Sequence, residues 1–404
     1  MWFLTFFLRK AIKKGRLVII DHDGTRHEFG SGEDGPHVTL HFTDSRIAFD
    51  IARNPDLAVG EGYMDGRIEF EDGSTIRDLL MLYAANKKPG AKPHGWYNRM
   101  IYNTRLLLRP LHQANPLGLA AKNTRHHYDI SGDFYRMWLD EEMNYTCAYF
   151  RDPSNSLEQA QRDKLDHVAA KLQLKPGMTI VDLGCGWGAA AIHFARNYGC
   201  DVTGINVSPE QLAFARNRVK ELGLEDKVRF VECDYREAEG QYDRVVSIGL
   251  MEHVGSKHFH QFFGQCSKLM KQDGAGLVHA IGRMAPPGAT GPFIRKYIFP
   301  GGSAPSMSEV FRATEFAKLW VLDCEILRMH YAWTLRHWHE RFMARRDEAV
   351  EMFDERFARM WEFYLVGAES WFEHGPNMIY QCVISHERDA LPMTRDYMYE
   401  NGAD

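Results

Sequence analysis

The run Ile180-Val-Asp-Leu-Gly-Cys-Gly-Trp-Gly188 leads an apolar stretch directly into three glycines at alternate positions. Glycines so placed let a backbone turn tightly and approach a ligand that a side chain would hold off. The spacing differs from the Gly-x-Gly-x-x-Gly of dinucleotide folds, which seat a pyrophosphate on a helix N-terminus. S-adenosylmethionine (SAM) has no pyrophosphate, so Gly184, Gly186 and Gly188, with Asp182 before them, are candidates to hold that cofactor. In an open α/β sheet the ligand lies outside the carboxyl ends of the strands. Reading those ends in chain order adds Asn206, Asp234 with Tyr235, Glu252 with His253, and His279. SAM-binding folds usually place a carboxylate at the end of the second strand for the ribose hydroxyls. Here Asn206, or Gln211 on the next helix, takes that place, and an amide can both donate and accept. Taken alone, Glu252 is a catalytic carboxylate or a helix-start carboxylate favoured by the dipole. His279, inside an apolar run, reads as a core histidine. His253, His258 and His260 match no zinc spacing, and no metal site is expected.

These residues need a sheet to position them. Strands are expected at 178–183, 201–207, 228–233, 242–248 and 276–281, with helices at 189–198, 209–222 and 257–270 between them, the second capped by Ser208. Strands alternating with helices imply a parallel sheet with right-handed crossovers. Two later strands, 324–329 and 378–385, with a helix between them, suit an antiparallel edge. The fold class is therefore α/β, a Rossmann-like domain over 120–404 whose glycine turn is expected to bind SAM, preceded by a small α+β domain over 1–90. Strands at 17–20, 38–42 and 67–70 mark that first domain. The Pro/Lys/Gly-rich stretch 86–93 reads as a linker that leads into a connection over 91–119 carrying a helix near 96–115. Pro286-Pro-Gly-Ala-Thr-Gly-Pro-Phe293 opens an insertion near 286–312 that reads as a lid over an apolar slot or as an ordinary crossover, with Arg295 and Lys296 placed to meet lipid phosphates.

With 404 residues there is room for two domains, and 45% hydrophobic with 25% charged residues is ordinary globular composition. A net charge of −5 gives no general attraction to nucleic acid, and none is expected as a partner. The seven cysteines include no Cys-x-x-Cys pair, which argues against a disulfide framework and fits a reducing cytoplasm. Trp2-Phe-Leu-Thr-Phe-Phe-Leu8 is too short to span a bilayer, and its basic residues follow the apolar run, unlike a signal peptide. It reads equally as a membrane-interface segment or as a helix packed on its own domain.

Several separated motifs narrow the activity. His127-Tyr-Asp-Ile-Ser-Gly-Asp-Phe-Tyr135, Met143-Asn-Tyr-Thr-Cys-Ala-Tyr-Phe150, the glycine turn, Gly204-Ile-Asn-Val-Ser-Pro-Glu-Gln211, Ser247-Ile-Gly-Leu-Met-Glu-His-Val254, Val278-His-Ala-Ile281 and His330-Tyr-Ala-Trp-Thr-Leu335 occur in this order. Together they closely resemble the cyclopropane-fatty-acyl-phospholipid synthase family, relatives of the mycolic acid cyclopropane synthases. The resemblance spans about 120–385, and Gly60-Glu-Gly-Tyr-Met-Asp-Gly66 resembles the N-terminal domain of longer members. It implies transfer of a SAM methyl group to a cis double bond of a phospholipid acyl chain, followed by loss of a proton and ring closure. An alkene is a feeble nucleophile, so such an enzyme must position it in a dry slot. The resemblance also implies a bound bicarbonate as base, held by Cys147, Glu252, His279, Tyr331 and the backbone amide of Ile281. Taken alone, Cys147 reads as a small buried hydrophobe and Tyr331 as an edge-strand packing residue. On the SAM side it adds Tyr128, Tyr145 and Thr146 near the carboxylate and Gln211 near the ribose, while Asp234 is assigned to the adenine side. A peripheral protein on the cytoplasmic face of the inner membrane, able to form a homodimer, is the implied setting. The alternatives are a methyltransferase leaving a methyl or methylene branch, and a non-catalytic lipid-binding protein.

Overall fold

The computed structural model describes residues 1–32, 34–86, 96–113 and 131–399. The chain divides into two compact units, each with its own sheet.

The first unit takes in residues 1–102, 291–300 and 335–376. Its sheet is built from β1 (Arg16–Ile20), β2 (Arg26–Phe29), β3 (His37–Phe42) and β4 (Ile68–Glu71), in the order β2-β1-β3-β4. β1 runs parallel to β3, and the other pairings are antiparallel. Leu17, Ile19, Val38, Leu40, Phe42 and Ile68 are buried with Leu4 and Ile12 from the helix Trp2–Ala11. The edge strand β2 was not expected, because Arg-His-Glu-Phe buries only Phe29 and lacks an apolar alternation. The helix Glu355–His374 joins this unit through buried polar contacts. Tyr63 Oη donates to Glu362 at 2.7 Å, and Arg77 Nη2 donates to Glu369 at 2.6 Å. Glu369 is fully enclosed and also accepts from Arg336 at 2.9 Å. A buried carboxylate is tolerable only with such partners.

The expected lid divides differently from the reading above. Residues 291–300, including a π-helical turn over Ile294–Ile298, group with the first unit, as do 335–376. Phe293 is buried against Gly60, where a Cβ would come within 2.5 Å of the ring, and it packs on Phe363 with centroids 4.5 Å apart. Lys296, expected to meet phosphate, is paired with Glu61, which also accepts from Tyr297 Oη at 2.7 Å.

The second unit holds 103–290, 301–334 and 377–404. Its strands are β5 (Thr179–Leu183), β6 (Asp201–Asn206), β7 (Val228–Glu232), β8 (Tyr242–Ile248), β9 (Met270–Arg283), β10 (Trp320–Ile326) and β11 (Asn377–Ser385). They are ordered β10-β11-β9-β8-β5-β6-β7, with β11 antiparallel to both its neighbours. Both faces are covered, so alternate residues feed two cores. Ile180 and Val246 pack with the helices Leu157–Lys171, Ala189–Tyr198 and Pro209–Glu221. Val181 and Val245 pack with Phe259–Leu269 and Met307–Phe316 on the other side. Ser208 caps Pro209–Glu221 as expected, its hydroxyl accepting from Gln211 N. The expected strand 324–329 begins and ends earlier, and His330 starts a helix that runs to Ala344. Three helices, not one, separate β10 from β11.

Candidate active site

Between β5 and β8 successive connections leave in opposite directions, which opens a crevice at the strand ends. The glycine turn lies there. Gly184, Gly186 and Gly188 have φ of +81°, +53° and +87°. The N–H groups of Gly184 and Cys185 both donate to Ile205 O, at 2.9 and 3.0 Å, tying the turn to β6. The three glycines do different work. At Gly188 a Cβ would press on Phe230 and Ala215 at 2.8 and 2.9 Å, and at Gly184 on Leu250 at 3.1 Å. At Gly186 it would meet nothing within 4 Å. That open cradle fits a ligand approaching the backbone, as SAM binding requires. Asn206 and Gln211 come together beside it: Asn206 Nδ2 donates to Gln211 Oε1 at 2.8 Å and to Gly186 O at 3.3 Å.

Asp182 is buried, one carboxylate oxygen has no hydrogen-bond partner among the described residues, and burial pushes the group up to about 7. Asp234 caps the short turn Tyr235–Glu237 and is engaged bidentately by Arg236. Tyr145 packs on Tyr135 and Trp138 with centroids 5.4 and 5.3 Å apart. Tyr128 lies outside the described residues.

A second cluster follows β8. Glu252, on the turn Met251–Val254, accepts from Ile281 N at 2.6 Å through Oε1. The Ile281 amide, expected to face an anion, thus fixes one carboxylate oxygen instead. Oε2 is enclosed and has no partner among the described residues, and burial lifts the carboxyl to about 7. His279 sits deep in β9. Lys171 Nζ, which can only donate, bonds Gln381 Oε1 at 2.8 Å. That orients the Gln381 amide so that Nε2 donates to His279 Nδ1, 3.2 Å away. His279 therefore carries its proton on Nε2, a buried donor with no partner among the described residues. Burial, with a smaller push from the nearby Lys164, Lys171 and His167, holds the ring well below the usual imidazole range, so it stays neutral.

Cys147 is buried, its thiol is pushed up by burial, and Sγ donates to Ala148 O at 3.2 Å. It is a poor nucleophile. Ala148 N donates to Thr334 Oγ1 at 3.0 Å, and Thr334 Oγ1 donates to His330 O at 2.7 Å. This anchors the Cys147 segment to the first turn of the helix that bears the buried Tyr331. Among the described residues no hydrogen bond joins Cys147 to Glu252 or His279.

Sequence reading missed Lys164, which is 1% exposed and donates to Asn144 Oδ1 and Thr146 Oγ1, both at 2.9 Å. Burial, only partly offset by Asp140 and the other groups around it, lowers the ammonium to about 8. Its field reaches Cys147, Asp182 and His279 alike. A signal was present, because Lys164 shares its helix stripe with Leu157, Ala160 and Val168. Among the described residues no group of three or more His, Cys, Asp or Glu side chains is placed to hold a metal.

Residues 118–382 match the family described as mycolic acid cyclopropane synthetase. The chain belongs to this family. A probable fatty acid methyltransferase of Pseudomonas putida is 35% identical over 391 residues, covering 93% of this chain and 94% of the relative. The cyclopropane-fatty-acyl-phospholipid synthase of Escherichia coli K12 is 35% identical over 340 residues, covering 83% and 84%. Among solved structures, the mycolic acid cyclopropane synthase CmaA1 complexed with SAH and CTAB superposes with a TM-score of 0.62 at 32% identity, over 65% of this chain and 97% of that one. Residues 7–92 match a domain of unknown function. This member of the cyclopropane synthetase family is a SAM-dependent methyltransferase with the Rossmann-like fold.

Proposed function

We propose that the enzyme methylates the cis double bond of an unsaturated phospholipid acyl chain and closes a cyclopropane ring, with bicarbonate held by Glu252, His279, Cys147 and Tyr331 as the base. The supporting observation is the pair of enclosed, unpartnered groups, Glu252 Oε2 and His279 Nε2–H. Bicarbonate both accepts and donates hydrogen bonds, which suits a neutral imidazole donor beside a carboxyl group. SAM supplies an electrophilic methyl group on a cationic sulfur. The open face at Gly186 and the Asn206–Gln211 pair would hold it, with Thr146 kept in place by Lys164. Glu252, at about 7, keeps a proton acceptor available near neutral pH without placing a full buried charge in the site.

A second reading, a methyl- or methylene-branching enzyme, is supported by the Pseudomonas putida relative, whose name is fatty acid methyltransferase. The deciding measurement incubates the protein with SAM and vesicles of mono-unsaturated phospholipid and follows acyl-chain mass. A gain of one CH₂ with loss of alkene reactivity supports ring closure. The same gain with the alkene retained supports branching, and no gain overturns both. Among the described residues no helix is long and apolar enough to cross a membrane. Peripheral contact at the cytoplasmic face is accordingly part of the proposal, and homodimerisation is compatible with it.

A further inference from the structure

The helix Trp2–Ala11 has two chemically distinct faces. Leu4, Leu8 and Ile12 turn inward and join the core of the first unit. Trp2, Phe6 and Phe7 turn outward and are 80%, 58% and 43% exposed. At 100° per residue, Arg9, Lys10 and, beyond the helix end, Lys13 fall on the same side as Trp2 and Phe6. Lys10 Nζ lies 4.1 Å from the Phe6 ring centroid. Among the described residues Arg9, Lys10, Lys13 and Lys14 make no ion pair with a carboxylate. The helix Ile47–Arg53, packed against this one, carries another exposed ring, Phe49 at 59%. Two cations in the last turn complement the helix dipole, but that role does not require aromatic rings in water.

We infer that the outward face of Trp2–Ala11 docks on a bilayer containing anionic phospholipid, with the rings entering the headgroup–acyl boundary and the basic side chains meeting phosphates. Charge selects this occupant: the chain carries −5 overall, yet the rings are flanked by four cations that, among the described residues, have no carboxylate partner. Aromatic rings beside Lys and Arg are the composition of interfacial helices. The two readings of this segment, membrane contact and packing on its own domain, thus belong to opposite faces of one helix. The inference rests on the proposed lipid substrate only in naming the membrane, and its test is separable from that reading.

Flotation with vesicles of phosphatidylcholine alone and with added phosphatidylglycerol tests it on the full chain. The wild type should bind the mixed vesicles at least ten-fold better, with binding weakening as salt rises. The triple variant Trp2→Ser, Phe6→Ser, Phe7→Ser should lose at least ten-fold in binding. Lys10→Glu with Lys14→Glu, which leaves the rings intact, should abolish the preference for anionic vesicles. Both variants should still turn over detergent-dispersed lipid, which checks that they are folded. Unchanged vesicle binding by both would overturn the inference. So would a change in oligomeric state without a change in binding, which would assign the face to a second copy of the chain. Docking without lipid methylation by the wild type would sink the proposed function and leave the helix assignment standing.

Discussion

At the scale of single residues, the site is governed by who donates to whom. Lys171 orients Gln381, Gln381 fixes the tautomer of His279, and the imidazole N–H that results has no partner among the described residues. Glu252 is prepared in a similar way, with Ile281 N holding one oxygen and leaving the other. Replacing Glu252 by Gln keeps shape and the Ile281 contact but removes the acceptor charge. Turnover should fall by about 10²-fold or more, the scale of general-base losses, while SAM affinity, measured calorimetrically, changes less than three-fold, roughly half a kcal/mol. Equal loss of both would make Glu252 a structural residue. The same variant reports on pH. Burial lifts the folded carboxyl from the ordinary 4.5 to about 7, so its contribution to stability is complete below 4.5 and is lost as pH rises through 7. In bicarbonate-free buffer, Glu252→Gln should gain on the wild type by about 2 kcal/mol between pH 4.5 and 7.5, allowing for the residue's partial exposure. A flat difference in unfolding free energy would show that the carboxyl is not perturbed. Of these residues Glu252 was legible from its place after a strand. Gln381 and Lys171 were not, because their meaning depends on a contact between β11 and a helix more than two hundred residues earlier.

At the scale of elements, the glycine turn separates packing from binding. Gly188→Ala forces a Cβ into Phe230 and Ala215 at a positive φ, and should cost about 2–4 kcal/mol in unfolding free energy. Gly186→Ala meets no neighbour and should cost only about 1 kcal/mol, yet weaken SAM binding at least ten-fold because the new methyl enters the cradle. Thermal unfolding and SAM titration of the two variants check the split, and identical profiles would refute it. The parallel strands were readable because burial on both faces makes them nearly continuous apolar runs. β2 escaped because an exposed edge needs no such pattern, and Tyr331, which lies in the helix from His330, reads as an edge-strand packing residue because aromatic side chains bias a local reading toward strand.

At the scale of the whole molecule, sequence continuity is a poor guide to the units. The first unit needs Tyr63 against Glu362 and Arg77 against Glu369, pairs separated by 299 and 292 residues. A chain starting at residue 103 would leave Glu369 with Arg336 but without Arg77, and would uncover the side of Phe293 that meets Gly60. Removing one partner of a buried carboxylate costs about 3–5 kcal/mol. Such a chain should bind a hydrophobic dye strongly and lose the sharp unfolding transition of the full protein, and an unchanged transition would show that 335–376 fold without 1–102. The composition bounded domain number, but no local pattern announced that a helix near residue 360 completes the first unit.

The division of that unit among three stretches also sets an order of events during synthesis. The sheet β1–β4 leaves the ribosome before residue 102, but the helix Glu355–His374 that supplies Glu362 and Glu369 is made some 250 residues later. At roughly 5–20 residues per second that gap is on the order of 10–50 s. Gly60 waits through most of it for Phe293, and Tyr63 and Arg77 through all of it for their carboxylates, so the nascent first unit spends that time as an unfinished surface.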